Sequence, residues 1–108
     1  MQHRLKRFLA AAALACLSAS CLAASQIVQT SVASPTRGPD MRMYVYLPDG
    51  YAEAGSRFPV IYMLHGAGGN ETDWVIKGGI QVTADQQIAR GELRKSVIVM
   101  PTTGPQSW

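Results

Sequence analysis

The hydrophobic positions of this chain change rhythm several times, and each change marks an element. Residues 25–34, SQIVQTSVAS, mix β-branched and polar side chains, as a strand at a sheet edge does. The next strand, over residues 41–47, alternates strictly. Met41, Met43, Val45 and Leu47 share one face, and Arg42, Tyr44 and Tyr46 share the other. Period-two alternation marks a half-buried strand. The turn-forming run PTRGPD between the two strands predicts an antiparallel hairpin. Pro48-Asp49-Gly50-Tyr51 ends the second strand, and residues 52–58 form a polar surface loop.

Beyond Pro59 the alternation stops. Residues 60–64, VIYML, are apolar without interruption, the pattern of a strand buried on both faces of a parallel sheet. The run breaks at once into His-Gly-Ala-Gly-Gly. Asn70 then suits the N-cap of a short helical turn with acidic residues near its positive end. Ile80, Ala84 and Ile88 repeat at helical spacing, predicting a helix over about 80–90. Thr83 and Gln86 match a capping box with Thr83 as N-cap, and Gly91 suits the C-terminal cap. Residues 97–100, VIVM, are a second continuous apolar run. Strand, helix and strand make a right-handed βαβ unit. Strands apolar on both faces need helices on two sides, and one convincing helix is available. The pattern therefore reads as the unfinished front of a larger α/β domain. It predicts a hydrophobic edge at residues 97–100 that further strands would cover.

The start of the chain has another character. Arg4, Lys6 and Arg7 precede an apolar stretch over residues 8–17, and small residues follow. That is the secretory pattern, too short for a stable membrane span; the competing reading is a buried or anchoring helix. Cleavage after Ala23 puts Cys21 and Ala23 at the small-x-small positions; a cut after Ala24 would put Leu22 there. The expected layout is a signal peptide over 1–23 and an exported part over 24–108, secreted or periplasmic. Cys21 raises lipidation, for which Ala19 and Ser20 fit, but Ser18 stands where an aliphatic residue belongs. A membrane partner is expected only if Cys21 is lipidated.

Processing changes the charge argument. The full chain carries 10 basic and 7 acidic residues, and loss of Arg4, Lys6 and Arg7 balances them. No nucleic-acid partner is then implied. Cys16 and Cys21 both lie in the leader, so the exported part has no disulfide. No cluster has metal-ligand spacing, and there is neither a dinucleotide fingerprint nor a phosphate loop, so no metal or cofactor is expected.

The loops after the two apolar strands should lie on one edge of a parallel sheet, where ligand crevices form. Residues 65–74 and 101–108 would face each other there. YLPDGY, FPVIYMLHGAGGNETDW and IARGELRKSVIVMPTTG, in that order, resemble the secreted Putative esterase (esterase D-like) family of α/β-hydrolases. The resemblance covers residues 41–108. It implies an α/β-hydrolase fold with a Ser-His-acid triad, here the amino-terminal strands plus one βαβ unit. It also implies that the Ala67 N–H is an oxyanion donor, with Gly66 and Gly68 shaping the loop. The triad Ser, Asp and His are absent: the 108 residues hold no Gly-x-Ser-x-Gly, and Ser107 is not an elbow. The family's order of elements predicts such an elbow in the reading frame beyond Trp108.

Each candidate has a structural rival. His65 is either a catalytic base or a brace for the loop, and the triad order Ser, acid, His favours the brace. The glycines could simply make a tight turn. Trp74 could line a substrate pocket or pack in the core, and Trp108 could edge the cleft. Glu71, Asp73 and Asp85 read as capping or surface acids. The expected function is the amino-terminal portion of a secreted serine carboxylesterase or acyltransferase acting on feruloyl, acetyl or thioester-like substrates, small or polysaccharide-linked. The alternatives are a secreted prolyl-oligopeptidase-type peptidase fragment and a non-catalytic truncated product. The chain alone is expected to be inactive.

Overall fold

The computed structural model describes residues 24–36 and 38–103. The expected leader with Cys16 and Cys21, and Ser107 and Trp108, lie outside the described residues. Strands β1 (Gln26–Val32), β2 (Met41–Leu47), β3 (Val60–Tyr62) and β4 (Val97–Pro101) form one sheet, with helices α1 (Asp73–Ile76) and α2 (Ile80–Ala89) between β3 and β4. The spatial order is β1-β2-β4-β3. The expected hairpin is present: β1 pairs antiparallel with β2, with Val28 opposite Val45. β2 then pairs antiparallel with β4, and β4 pairs parallel with β3. No helix among the described residues is long and apolar enough to cross a membrane.

The register decides which face is buried. Tyr44 lies opposite Met100, and Tyr46 opposite Ile98, which is itself aligned with Ile61. These side chains share the face covered by α2. Tyr46, Ile80, Ala84, Ile98 and Met100 form the buried core, with Ile61, Met63 and Ile88 packed against it. The predicted stripe Ile80, Ala84, Ile88 is thus the face α2 lays on the sheet. Burying one Ile-sized side chain contributes about 1.5–3 kcal/mol, so this stripe and the tyrosine face hold the layers together.

Three expectations need correction. First, β3 is not buried on both faces: Val60, Tyr62 and Leu64 are 50 %, 68 % and 49 % exposed, because α2 covers only the Ile61–Met63 side. Second, the apolar edge is β3, not residues 97–100. β4 is central because β2 takes its other side. Third, Thr83 is not the N-cap. The helix starts three residues earlier at Ile80, after Gly79 in the left-handed region (φ 55°). The Thr83 N–H donates to Gly79 O at 3.1 Å and is therefore interior. The C-terminal end follows the sequence: Gly91 takes φ 72°, its N–H donates to Ile88 O, and the Glu92 N–H donates to Gln87 O. Those two bonds make a Schellman motif, which closes the carbonyls left open by the last turn.

Candidate active site

Because β3 and β4 are parallel, both run out at the same end of the sheet. The Met63 N–H donates to Val99 O at 2.9 Å, so the two exits are locked side by side. The loops beyond them meet, as the sequence implied. The Thr103 N–H donates to His65 Nε2 at 3.4 Å.

Residues 66–69 form a β-turn. The Gly69 N–H donates to Gly66 O at 3.0 Å. Gly68 has φ 74°, and no non-glycine residue among those described has positive φ. That combination is a type II turn, which needs a glycine at its third position. His65 is 7 % exposed, and its Nδ1 lies 2.8 Å from the same Gly66 oxygen. The Nδ1–H therefore donates to Gly66 O, leaving Nε2 as the acceptor for Thr103, a neutral imidazole with its tautomer fixed by two partners. His65 acts as a brace for the loop in this geometry.

The consequence for Ala67 is mechanical. Gly66 C=O and Ala67 N–H belong to one peptide unit, and the described residues contain no cis peptide. In a trans peptide the two groups point in opposite directions. Two donors hold the oxygen inward, so the hydrogen is aimed outward. Ala67 is exposed, and among the described residues its N–H makes no hydrogen bond. A fixed donor of this kind can bind an anionic oxygen without reorganising.

The glycines divide the work. A Cβ on Gly66 would meet nothing within 4 Å, whereas one on Gly69 would collide with the Asp73 carboxylate and lie 3.1 Å from Gly66 O. Asp73 therefore packs directly on the turn. Its Oδ2 accepts from the Asn70 N–H at 3.4 Å, and its Oδ1 pairs with Lys77 at 3.2 Å. The Lys77 hydrogen bond, helped by the Asn70 N–H and the charge of Lys77, holds the Asp73 carboxyl below the usual range. Asn70 is not the N-cap of α1, which is Thr72. Its Oδ1 instead accepts from Thr72 N–H (2.8 Å) and Thr72 Oγ1 (2.6 Å), turning the chain into the helix.

Trp74 donates its indole N–H to Leu64 O at 3.1 Å and packs on the core. It also walls a shallow slot of about 290 Å³ with His65, Gly66, Asp73, Lys77 and Gly78. Glu71, expected among the surface acids, is 3 % exposed and pairs with Arg42 Nε at 3.1 Å, tying the loop to β2. The third acid, Asp85, lies far from the turn, on α2. Among the described residues, no group of three His, Cys, Asp or Glu side chains could hold a metal.

Comparison with known proteins bears on the family and the fold. The model of the Putative esterase family matches residues 34–108. The chain belongs to this esterase family. It is 36 % identical over 78 residues to an endo-1,4-beta-xylanase/feruloyl esterase of Xylanibacter ruminicola, covering 68 % of this chain and 11 % of that protein. A ferulic acid esterase structure superposes with a TM-score of 0.73 at 26 % identity, over 78 % of this chain and 32 % of the other. The feruloyl esterase module of Clostridium thermocellum, complexed with sinapinate, gives 0.63 at 30 % identity, over 73 % and 27 %. The chain thus carries part of an α/β-hydrolase fold and spans about a third of these two structures. That supports the esterase reading over the peptidase.

Proposed function

We propose that this chain supplies one half of the oxyanion hole of a secreted serine carboxylesterase or acyltransferase. The Ala67 N–H donates to the carbonyl oxygen as it gains charge, and the slot beside Trp74 forms part of the acyl wall. The nucleophilic serine, its histidine and its acid come from polypeptide beyond these 108 residues. The serine attacks the ester carbonyl, histidine carries the proton, and the acid orients the histidine. Water as acceptor gives hydrolysis, and a sugar hydroxyl gives acyl transfer. Kinship with feruloyl esterases favours aromatic or acetyl esters, free or polysaccharide-linked, as substrates.

One observation carries this reading: the Gly66 oxygen is held by two donors, which leaves the Ala67 N–H directed away from the fold. The test is Ala67→Pro in the complete enzyme, assayed on methyl ferulate and 4-nitrophenyl acetate. Proline removes the donor, and loss of one such donor lowers kcat about 10²–10³-fold. An unchanged kcat in a folded variant would overturn the assignment. The 108-residue chain assayed alone should show no turnover above buffer, and steady turnover would refute the external nucleophile.

A further inference from the structure

The opposite end of the sheet holds a second cavity, of about 470 Å³, lined by Ala24, Ser25, Tyr46, Asp49, Asp85 and Lys95 among others. Its polar groups converge on Asp85. Tyr46 Oη donates to Asp85 Oδ1 at 2.7 Å, and Ser25 Oγ donates to Asp85 Oδ2 at 2.7 Å. Gln81 Nε2 in turn donates to Ser25 O (3.1 Å) and Ser25 Oγ (3.2 Å). Residue 25 is therefore clamped to α2 from two sides. The cation balance is uneven. Lys95 pairs with Asp49 at 2.7 Å, whereas Asp85 has no cationic partner among the described residues. A carboxylate with one bond at each oxygen retains lone pairs for another donor.

The residue that precedes the clamp is Ala24, and it lines the same cavity. It is also the first residue left by the cleavage site read from the sequence. We propose that cleavage after Ala23 creates a ligand for this cavity: the new Ala24 α-ammonium, which pairs with Asp85. Hydrolysis of the Ala23–Ala24 bond by a leader peptidase adds water's hydroxyl to the Ala23 carbonyl and its hydrogen to the leaving amine. The amine then takes a proton from solvent, since α-amines ordinarily titrate at about 7.7–8.0. Before cleavage the same nitrogen is an uncharged amide. Leader removal thus turns the start of β1 from a neutral strap into a charged clasp on α2. The titratable groups facing it are Asp85 from α2, Tyr46 from β2, Asp49 from the turn after β2, and Lys95 from the approach to β4. This inference is independent of the oxyanion reading.

The test uses the full chain exported with its leader. Intact mass gives the amino terminus, and competitive acetylation at pH 7 gives the reactivity of its amine, in buffer and in urea. We expect Ala24 as the first residue. Its amine should acetylate at least threefold more slowly folded than unfolded, because Asp85 keeps it protonated. Asp85→Asn should remove that protection. A different first residue, equal rates in buffer and urea, or protection that a folded D85N variant retains would each overturn the proposal. The wild-type comparison decides even if D85N does not fold.

Discussion

Replacing His65 with alanine should release the peptide that carries the Ala67 N–H while leaving the sheet paired. The ring bonds to Gly66 O at 2.8 Å and accepts from the Thr103 N–H at 3.4 Å. Each such bond contributes about 0.5–1.5 kcal/mol net, and truncating a buried ring adds a packing loss, so the expected cost is about 2–4 kcal/mol. With a urea slope of about 1–2 kcal/mol/M for a domain of this size, the midpoint should fall by about 1–4 M. Stability alone would not separate a brace from an ordinary core residue. The discriminating readout is the backbone order parameter of the Ala67 amide by ¹⁵N relaxation. Gly66 O would keep only its bond from Gly69, so the order parameter should drop from about 0.85 toward 0.6, while Val99 stays rigid. His65→Gln, which retains one donor, should lie between. A folded His65→Ala protein whose Ala67 amide is as ordered as in the wild type would refute the account of how this donor is aimed.

The three loop glycines should respond in a graded way in thermal melts. Gly66→Ala should be within about 0.5 kcal/mol of wild type, because its Cβ meets open space. Gly68→Ala should cost about 1 kcal/mol through its positive φ, and Gly69→Ala more, because it displaces the Asp73 carboxylate. Equal costs at all three would contradict the turn geometry. At high pH, burial first and the Asp85 bond second push the Tyr46 phenol well above its ordinary value of 10.0. A raised folded-state pKa gives stability that is complete below pH 10 and declines as pH rises above it. Tyr46→Phe should flatten that alkaline decline in urea titrations between pH 8 and 11, and an unchanged slope would exclude Tyr46 as its source. Finally, the exposed apolar β3 edge should make the 108-residue chain self-associate, and Tyr62→Lys should shift its sedimentation toward monomer, since a charge blocks edge-to-edge pairing; a wild-type chain that sediments as monomer, or an unaltered distribution in the variant, would refute edge pairing by β3.

Much of the architecture was legible because periodicity reports burial. The βαβ unit, the hairpin and the Gly91 cap each rest on a local signal, and the helix face Ile80, Ala84, Ile88 rests on spacing alone. What periodicity cannot report is neighbour order. β2 alternates between a methionine–valine face and a tyrosine face, and both are apolar enough to be inside. Pairing of Tyr44 with Met100 and Tyr46 with Ile98 put the tyrosine face against α2, although Met43 on the other face is buried as well. The same non-local pairing made β4 central and left β3 at the edge. The site divides similarly. Glycines after an apolar strand announced the loop, but the burial of Glu71 and the packing of Asp73 on Gly69 depend on three-dimensional contacts. The spacing of Asn70 and Asp73 was a usable hint, since a side chain three residues on can reach back to a backbone N–H. The reading of Thr83 as a cap failed because a matching capping box is also an ordinary pair inside a helix.

The arrangement at the turn also explains why histidine and glycine occur together there. A type II turn by itself fixes the peptide between its second and third residues, through the glycine at φ 74°. It leaves the preceding peptide, which carries the Ala67 N–H, dependent on a single bond from Gly69 to Gly66 O. His65 supplies the second bond to that oxygen from the strand side, and Thr103 anchors the ring to the exit of β4. The aim of the donor is thereby referred to both parallel strands rather than to the loop alone. A lysine at residue 65 could donate to Gly66 O but could not accept from Thr103, and a leucine could do neither. Histidine is suited to both bonds at once in its neutral form, so its chemistry at this position is positional, and the proton-carrying histidine of the proposed reaction must be a different residue.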